Sequence, residues 1–347
     1  MPDVYIRNKN FERIDLIEGV VELIWTIRYQ APGDVVLRVP ISRFSYTSLV
    51  EGHYVELPSS TRLMIIESVL RDRDNENLIN VKGRGLESIL ENRILMPETA
   101  SAEEWIMTGN VGYVATTAVR RICVEGTGLT ANDVIPNFEV LNQDASTISK
   151  TVKLKPTDLL KVVTDLCVED GLGFRLTFDK ENKSTSFRIY RGTDHSRSQS
   201  INPRVIFSNE LENLSQGSLL RSIDDYKNVA YVKSGSLVRR VQIGSGTYSG
   251  FNRRVMYVDA SDIENPTNAL LDSRGRTELA NHRKKILMDG EVQETRTYRY
   301  GTDYVLGDMV TLQGEDGGFR DARITEYITT YGSDGVRSYP TFTSLET

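Results

Sequence analysis

The feature that most constrains this chain is the alternation of apolar and polar residues in short segments near both of its ends. Successive side chains of a β-strand point to opposite faces, so alternation over roughly four to eight residues indicates a half-buried strand. Turn residues separate the segments, and Ala31-Pro32-Gly33-Asp34, for example, supplies a Pro and a Gly that reverse the chain. The pattern predicts antiparallel meanders in both regions. The segments are VYIR (4–7), ELIWTIRY (22–29), DVVLRVP (34–40), YVELP (54–58) and RLMIIESVLRD (62–72), and then KNVAYVKSG (227–235), VRRVQIGSG (238–246), GFNRRVMYVDA (250–260), EVQETRTYRY (291–300), GDMVTLQ (307–313) and RDARITEYITTYG (320–332).

The middle of the chain has helical periodicity instead. In TDLLKVVTDLCVEDG (157–171), apolar residues recur at the spacing of one helix face. Thr157 or Asp158 can accept hydrogen bonds from the amides of the first turn, and Gly171 follows the last periodic residue. This segment is therefore predicted to be a helix with defined ends.

Three further segments also have helical spacing. They are LESILENRIL (86–95), EEWIMTGNVGYVATTAVRRICV (103–124), which is broken near Gly109 and Gly112, and the stretch 276–287. Between the helices, FRLTFD (174–179) and TSFRIYRG (185–192) have the pattern of a β-hairpin. Two β-rich regions thus flank a helical insertion, which predicts a mixed, β-rich α+β fold.

A coarser similarity links the two β-rich regions. LVEGHYVELPSSTRLMIIESVLRD (49–72) and YVLGDMVTLQGEDGGFRDARITEYITTY (304–331) share one layout. Each has a turn glycine with a polar residue after it, a short strand, a polar loop and a longer strand. The glycines are Gly52 and Gly307. The layout fits two related barrel-like domains, and it also fits two hairpins that obey the same turn rules.

Composition and charge exclude several classes of protein. The 347 residues include 42 Lys+Arg and 48 Asp+Glu, for a net charge of −6, and 39% are hydrophobic, as in a globular chain of roughly two or three domains. The mild acidity excludes a protein that coats nucleic acid through clustered Lys and Arg. No apolar run approaches the roughly 20 residues of a membrane span, and the first residues lack an apolar signal-peptide core. Cys123 and Cys167 are expected to be buried thiols in a reducing compartment.

The residue types that usually carry catalysis are sparse. The three His are His53 in a turn, His282 in a charged helix, and His195. His195 is the most suggestive, because it stands between Asp194 and Ser196. Neighbouring side chains point apart, however, whereas the members of a catalytic triad converge in space. We therefore expect no catalytic residues and no enzymatic activity.

Spacings typical of metal or phosphate sites do not occur either. The sequence has no HExxH and no paired cysteines, and GEDGG (314–318) lacks the length and closing Glu of a calcium loop. The glycines of VKGRGLES (81–88) precede a helix but lack the lysine of a P-loop. We expect no metal and no cofactor. The basic clusters, expected at solvated faces or subunit contacts, are RR (120–121), RR (239–240), RR (253–254) and HRKK (282–285).

The stretch after the predicted hairpin resembles a known family. A strand ends in Tyr190-Arg191-Gly192, a loop runs through Asp194-His195-Ser196-Arg197-Ser198, a strand VIFS (205–208) follows, and Asp225-Tyr226-Lys227-Asn228-Val229-Ala230 leads into the next strand. This order resembles the Gp37-like family of siphophage tail proteins, which are related to baseplate hub and tail-associated proteins. The resemblance extends over nearly the whole chain, through residues 5–40, 81–95, 250–260 and 303–312.

The resemblance implies a domain organisation. Two small antiparallel β-barrel-like hub domains from each of three subunits would form a ring, with the helical insertion packed outside. The first hub domain would span residues 1–95 and be completed by residues 200–230. The helical α+β insertion would span 96–199, and the second hub domain 231–347.

The function that the resemblance implies is structural. The chain would form a homotrimer at the tip of the tail of the virion, after synthesis in the host cytoplasm. It would stack on the distal tail protein, enclose the end of the tape-measure protein, and support receptor-binding or other tail-tip proteins. DNA would pass through the ring at ejection, and acids toward the lumen would let the duplex slide.

Two functions of other classes stay open at this level. A tail-associated peptidoglycan hydrolase would use Asp194 and His195. A module that binds a host receptor or carbohydrate would use Trp25, Trp105 and the Tyr-rich segment YRYGTDY (298–304). Aromatic residues in strands more often belong to the core or to a subunit interface.

Overall fold

The computed structural model describes residues 1–41, 45–72, 77–99, 101–126, 128–141, 146–263, 265–292, 298–314 and 317–344. Its strands fall into three stretches of the chain. The N-terminal strands are β1 (Val4–Arg7), β2 (Arg13–Ile17), β3 (Glu22–Arg28), β4 (Asp34–Pro40), β5 (Tyr54–Glu56), β6 (Leu63–Asp72) and β7 (Leu78–Gly85). The central strands are β8 (Ile94–Leu95), β9 (Trp105–Asn110), β10 (Phe138–Leu141), β11 (Ser149–Leu154), β12 (Thr157–Asp158), β13 (Gly173–Asp179) and β14 (Ser184–Tyr190). The C-terminal strands are β15 (Ile206–Phe207), β16 (Leu214–Ser222), β17 (Val229–Ser234), β18 (Leu237–Gln242), β19 (Val255–Asp259), β20 (Lys285–Val292), β21 (Met309–Gln313), β22 (Phe319–Gly332) and β23 (Gly335–Ser344).

The helices lie between these strands. The α-helices are α1 (Ser45–Ser48), α2 (Val111–Arg120), α3 (Leu159–Glu169) and α4 (Asn268–Asn281), and short 3₁₀ or π turns cover Leu86–Asn92, Arg121–Glu125, Gly128–Asp133 and Gly250–Asn252. None of the helices in the described ranges is long and apolar enough to cross a membrane.

One sheet of 13 strands runs through both β-rich regions. Its order is β16-β20-β23-β22-β3-β4-β7-β6-β5-β1-β2, with β21 paired to β22 and β15 paired to β21. The N-terminal β3 and the C-terminal β22 are antiparallel neighbours. The predicted β-rich, mixed α+β fold is therefore confirmed. The described strands form an open path from β16 to β2, so the two regions share one sheet and neither closes into a barrel of its own.

The stretch 200–230 contributes its strands to the C-terminal region. β15 pairs in parallel with β21, and β16 pairs antiparallel with β20. The extent of the domains stays a prediction, and these pairings are the structural facts that bear on it.

The central α+β stretch contains the helix and the hairpin predicted from the sequence. Asp158 caps α3 by accepting a hydrogen bond from the amide of Lys161 at 2.8 Å, and Gly171, with φ +63°, follows its end. β13 and β14 form the hairpin, and β10 adds a parallel strand to β14.

The helix predicted over 103–124 was wrong in its first part. Residues Trp105–Asn110 form β9, which pairs antiparallel with β11. The Asn110 side chain accepts a hydrogen bond from the amide of Tyr113 at 2.7 Å, so the helix begins only after Asn110. Trp105 is buried while Ile106 is half exposed, which is the alternation of a strand.

The helix predicted over 276–287 is displaced toward the N terminus. Thr267 caps α4, which ends at Asn281, and β20 begins at Lys285. The segment predicted as a strand over 291–300 lies partly outside the described residues. The strand β23 was not predicted, and it pairs with β22 over most of its length.

A small unit interrupts the hairpin between β16 and β20. It consists of the sheet β18-β17-β19 and α4. A Cβ at Gly275 of α4 would lie 2.7 Å from a methyl of Val241, so a glycine lets this helix approach the sheet closely. Leu271 and Leu279 complete the core between helix and sheet.

Candidate assembly interface

Two hairpins of the large sheet share one geometry. In the hairpin β5–β6, Gly52 has φ +82° and its amide donates to the carbonyl of Ile66 at 2.8 Å. In the hairpin β21–β22, Gly307 has φ +99° and its amide donates to the carbonyl of Ile324 at 2.8 Å. In both, the amide of that isoleucine donates to the carbonyl of the residue after the glycine. Each longer strand then bulges directly after the isoleucine.

The correspondence extends from the hairpins across four strands. The order β3-β4-β7-β6 matches the order β16-β20-β23-β22. Aligning Ile66 with Ile324 also aligns the residues paired across each set. Ahead of the bulge, the row Thr26, Asp34, Arg84 and Ile65 matches the row Leu220, Leu287, Thr343 and Arg323. After the bulge, the row Ile24, Val36, Lys82 and Ser68 matches the row Ser218, Asp289, Thr341 and Glu326.

The chain therefore contains a repeated structural unit. We call β3 to β7 the first unit, and β16 with β20 to β23 the second unit. Shared turn rules explain two similar hairpins. They do not determine how the three further strands of each unit pair. Of the two explanations that the sequence left open, the structure supports the repeat.

The two units join where β22 pairs with β3. The pairing runs from Glu326 opposite Arg28 to Tyr331 opposite Leu23. At one end, the Arg28 guanidinium contacts the Glu326 carboxylate at 2.5 Å and the Asp34 carboxylate at 2.6 Å. The junction is thus a continuous antiparallel ladder with a charged clamp at its end.

Tyr29 extends this junction to the α+β insertion. Its amide donates to the carbonyl of Thr325 at 2.9 Å, in the bulge of β22. Its hydroxyl lies 3.2 Å from the carbonyl oxygens of Gly171 and Tyr190 and accepts a hydrogen bond from the amide of Gly192 at 3.2 Å. Burial raises the pKa of this phenol, which therefore stays neutral. One residue, through its backbone amide and its hydroxyl, thus links both units and the insertion.

Arg323 and Asp308 form the polar wall beside Tyr29. The Arg323 guanidinium donates to the carbonyl of Gly307 at 2.5 Å and lies over the Tyr29 ring at 5.3 Å. Asp308 is buried and accepts hydrogen bonds from the amides of Thr193 and Val305. Burial raises the pKa of Asp308, and those two hydrogen bonds oppose the rise.

A second buried carboxylate, Glu56, ties the N-terminal strands to the first unit. The Arg7 and Arg13 guanidinium groups contact it at 2.5 and 2.7 Å, and the ammonium of Lys180, from the insertion, lies at 3.5 Å. Burial alone would raise its pKa, but the hydrogen bonds from Arg13 and Arg7 outweigh burial and lower the pKa to about 2.

Among the residues that the structure describes, each unit has one strand with an unpaired stretch of edge. β5 covers one side of β6 only up to Ile65, and the described part of the chain places no strand on that side of residues 68–70. At the other end of the sheet, the strand order terminates at β16. Leu70 on β6 and Leu220 on β16 are 60% and 53% exposed. Exposed leucines on unpaired edges invite pairing with another chain.

The residues considered for catalysis do not converge. The carboxylate of Asp194 accepts a hydrogen bond from the amide of Ser196. His195 turns away from it, with Nδ1 2.8 Å from the carbonyl of Pro203 and Nε2 3.7 Å from the Asp308 carboxylate. The group Asp194, His195 and Ser196 is therefore a turn held by local hydrogen bonds.

The other two histidines also contact nearby structural groups. His53 Nδ1 lies 2.8 Å from the carbonyl of Ser48, and His282 Nδ1 lies 2.9 Å from the Asp225 carboxylate. Among the residues that the structure describes, no three His, Cys, Asp or Glu side chains are placed to hold a metal ion.

The aromatic residues considered for receptor binding are mostly internal. Trp25, Trp105 and Tyr304 are buried. The rings of Tyr300 and Tyr327 stack with their centroids 3.9 Å apart, at the core of the second unit. The exposed tyrosines of the small unit, Tyr231 and Tyr257, were not predicted. Their alternation with Val232 and Val258 in short strands was the available signal.

The cysteines are buried, and two arginines of the basic clusters contact groups of their own chain. Cys123 and Cys167 are buried free thiols, and burial raises the pKa of both. Arg239 pairs with Asp272 at 2.8 Å, and Arg254 donates to the carbonyl of Ile223. These arginines, expected at solvated faces or subunit contacts, have partners within their own chain.

A family model of Siphovirus ReqiPepy6 Gp37-like proteins matches residues 3–342. The chain belongs to this family. The resemblance read from the sequence is thereby confirmed. No curated protein matches the Gp37-like chain.

Three solved structures similar to this Gp37-like chain are tail proteins. The tail protein from Neisseria meningitidis MC58 is 13% identical, with a TM-score of 0.61 over 99% of this chain and 96% of its own. The 43 kDa tail protein of prophage MuSo2 from Shewanella oneidensis is 11% identical, with a TM-score of 0.58 over 98% and 97%. Prophage tail protein gp18 from Listeria monocytogenes EGD-e is 13% identical, with a TM-score of 0.54 over 98% and 94%. The Gp37-like chain thus has the fold of phage tail proteins.

Proposed function

We propose that three copies of this chain form a closed ring that serves as the structural hub at the distal tip of a siphophage tail. The observation that carries the proposal is the repeated unit, with one junction sealed within the chain and one edge open at each end of the series. A series of units with complementary ends grows by adding copies and stops when a ring closes. Three copies supply six units, the arrangement that the family resemblance implies.

In this ring, the two units of each chain are the hub domains and the α+β insertion lies outside them. The pairing of β15 with β21 and of β16 with β20 favours assigning residues 205–222 to the second hub domain. Tyr29 joins the insertion to the junction between the units.

The ring stacks on the distal tail protein, encloses the end of the tape-measure protein and supports receptor-binding or other tail-tip proteins. Its role is structural, and DNA crosses it only at ejection. The net charge of −6 supports a lumen that holds few cations against DNA phosphates, which lets the duplex slide.

The test is the mass and shape of the purified chain. Native mass spectrometry is expected to give three times the chain mass of 39.1 kDa, and negative-stain images are expected to show rings. Labelled protein is expected at the distal end of isolated tails. A monomer at micromolar concentration, a copy number not divisible by three, or a label along the tail shaft would overturn the proposal.

One observation favours a second candidate function, binding of a host-surface ligand by the small unit. Tyr231 and Tyr257 lie opposite each other on the sheet face away from α4, and Tyr257 is 63% exposed. Arg253 donates to the Tyr231 hydroxyl at 2.9 Å. Aromatic rings beside a cation suit a sugar or a protein surface. Binding of the wild-type chain to host cells that Tyr257→Ala abolishes would support this function, and equal binding by both would exclude it.

A further inference from the structure

We propose that the ring closes by β-strand pairing in one defined register, with Leu70 on β6 of one copy opposite Leu220 on β16 of the next copy. The inference rests on the proposed ring and adds the two surfaces and their alignment. The occupant of the open edge of β6 is a second copy of this chain.

The junction within the chain provides the template. One side of β22 pairs with β21 before the bulge and with β3 after the bulge. The corresponding side of β6 pairs with β5 before its bulge, and in the described residues nothing follows after the bulge. After its bulge, β22 of the second unit pairs with β3, the first strand of the first unit. By the same rule β6 of the first unit pairs with the first strand of a second unit. That strand is β16 of another copy.

The template also fixes the register. Within the chain, Ile328 pairs with Thr26. The matched rows make Leu220 the counterpart of Thr26, and counting on from the aligned bulges makes Leu70 the counterpart of Ile328. Leu70 therefore faces Leu220 of the next copy in an antiparallel pair.

The strand ends agree with this alignment. β3 ends at Arg28, opposite Glu326, and β16 ends at Ser222. In the same register Ser222 is the counterpart of Arg28, and it faces Ser68, the counterpart of Glu326. The two strands that occupy equivalent places thus end at equivalent residues.

Exposure distinguishes the sealed junction from the open one. Thr26, at the sealed junction, is 3% exposed, whereas its counterpart Leu220 is 53% exposed. Tyr29 is fully buried, whereas its counterpart Ile223 is 47% exposed. Leu220 and Ile223 are apolar residues that water would reach in an isolated chain. Natural edge strands instead carry charges, prolines or bulges against pairing. Pairing with the next copy covers both residues.

Cysteine cross-linking tests the register. Paired Cα atoms of neighbouring strands lie within the range that a disulfide spans, and Cys123 and Cys167 are buried. Mild oxidation of Leu70→Cys/Leu220→Cys with copper-phenanthroline is expected to give covalent dimers and trimers without reductant, and Ser68→Cys/Ser222→Cys is expected to do the same. At least half of the chains should enter these bands.

Matched variants distinguish the competing arrangements. Leu16→Cys/Leu220→Cys tests pairing through β2, the other end of the sheet, where Leu16 is 41% exposed. It is expected to cross-link at least fivefold less than the in-register pairs, as are the single variants. Efficient cross-linking through Leu16, or none through either in-register pair in a protein whose mass shows three copies, overturns the register and leaves the proposed ring standing.

A variant without introduced cysteines provides a second readout. Leu70→Lys places a charge on the open edge and is expected to shift the native mass from three chains to one with an unchanged circular dichroism spectrum. Retention of the trimer by folded Leu70→Lys contradicts the inference. A wild-type chain that is monomeric at every concentration tested contradicts the proposed function itself.

Discussion

Single residues decide whether the parts of this chain hold together, and buried charge is the clearest case. Glu56 contacts two arginines from β1 and β2 and a lysine from the insertion. A buried carboxylate loses its hydration, so it is tolerated only while its partners remain. The lowered pKa of Glu56 therefore means that its ionised form stabilises the folded chain.

Glu56→Gln is expected to lower the free energy of unfolding by about 3 kcal/mol at pH 7, because it leaves the buried Arg7 without its counter-charge. The folded-state pKa lies below the ordinary value, so the stabilisation is complete above about pH 4.5 and disappears as the pH falls toward 2. Denaturant titrations from pH 7 to pH 3 should show the two proteins converging in acid. Glu91→Gln, which removes a half-exposed partner of Arg84, should change stability by less than about 1 kcal/mol.

Gly307→Ala is expected to destabilise the chain by about 3 kcal/mol, because the new Cβ would lie 2.3 Å from the Tyr29 ring and φ is +99°. Gly301 provides a matched control, since its φ is +84° but no atom approaches its Cβ position within 4 Å. Gly301→Ala should cost about 1 kcal/mol. Chemical denaturation measures both, and equal costs would assign the effect to backbone strain alone.

At the scale of elements, the sequence predicts what local periodicity encodes. α3 follows from one apolar face between Asp158 and Gly171, and β13–β14 follows from alternation around a polar turn. The helix predicted over 103–124 was too long. Val111–Arg120 is indeed helical, but the boundary with β9 is set by a single capping side chain, that of Asn110, which periodicity does not reveal. β23 escaped prediction because its residues alternate weakly, and its place is set by pairing with β22.

Tyr29→Phe is expected to destabilise the chain by about 1–3 kcal/mol, because the half-buried amide of Gly192 loses its hydrogen-bond acceptor. The loss should appear first where the insertion meets the two units. Hydrogen exchange measured by mass spectrometry should therefore accelerate in peptides covering residues 190–193. Tyr54→Phe, in a half-buried ring stacked on Phe11, serves as the control and should leave those peptides unchanged.

The whole molecule shows what local patterns could not reveal. The turn glycines Gly52 and Gly307 indicated a repeat, but the pairing of β22 with β3 joins residues about 300 positions apart, and no local spacing encodes such a contact. The candidate interface could not be predicted from the sequence for the same reason. An unpaired strand edge can be recognised only after the pairing of the other strands is known. The family, by contrast, could be identified from the sequence. The sequence also shows none of the residue spacings that are typical of catalytic motifs.

Because the units share one sheet, the chain is expected to unfold in a single transition. Trp25 reports on the first unit and Trp105 on the insertion, while circular dichroism reports on all strands. Denaturation curves from tryptophan fluorescence and circular dichroism should coincide within error. Two separated midpoints would mean that the β22–β3 junction couples the units only weakly.

The small unit between β16 and β20 gives the two repeats different outlines. In the first unit the corresponding hairpin closes through a short turn at residues 29–33, whereas in the second unit it carries β17–β19 and α4. A ring of such chains would offer the same ladder at every unit but a protruding sheet at only every second one. The six similar ladders of the ring would match a neighbour of sixfold symmetry. The side that carries the small units would match only partners of threefold symmetry. The position of the small unit would therefore let the ring join neighbours of different symmetry.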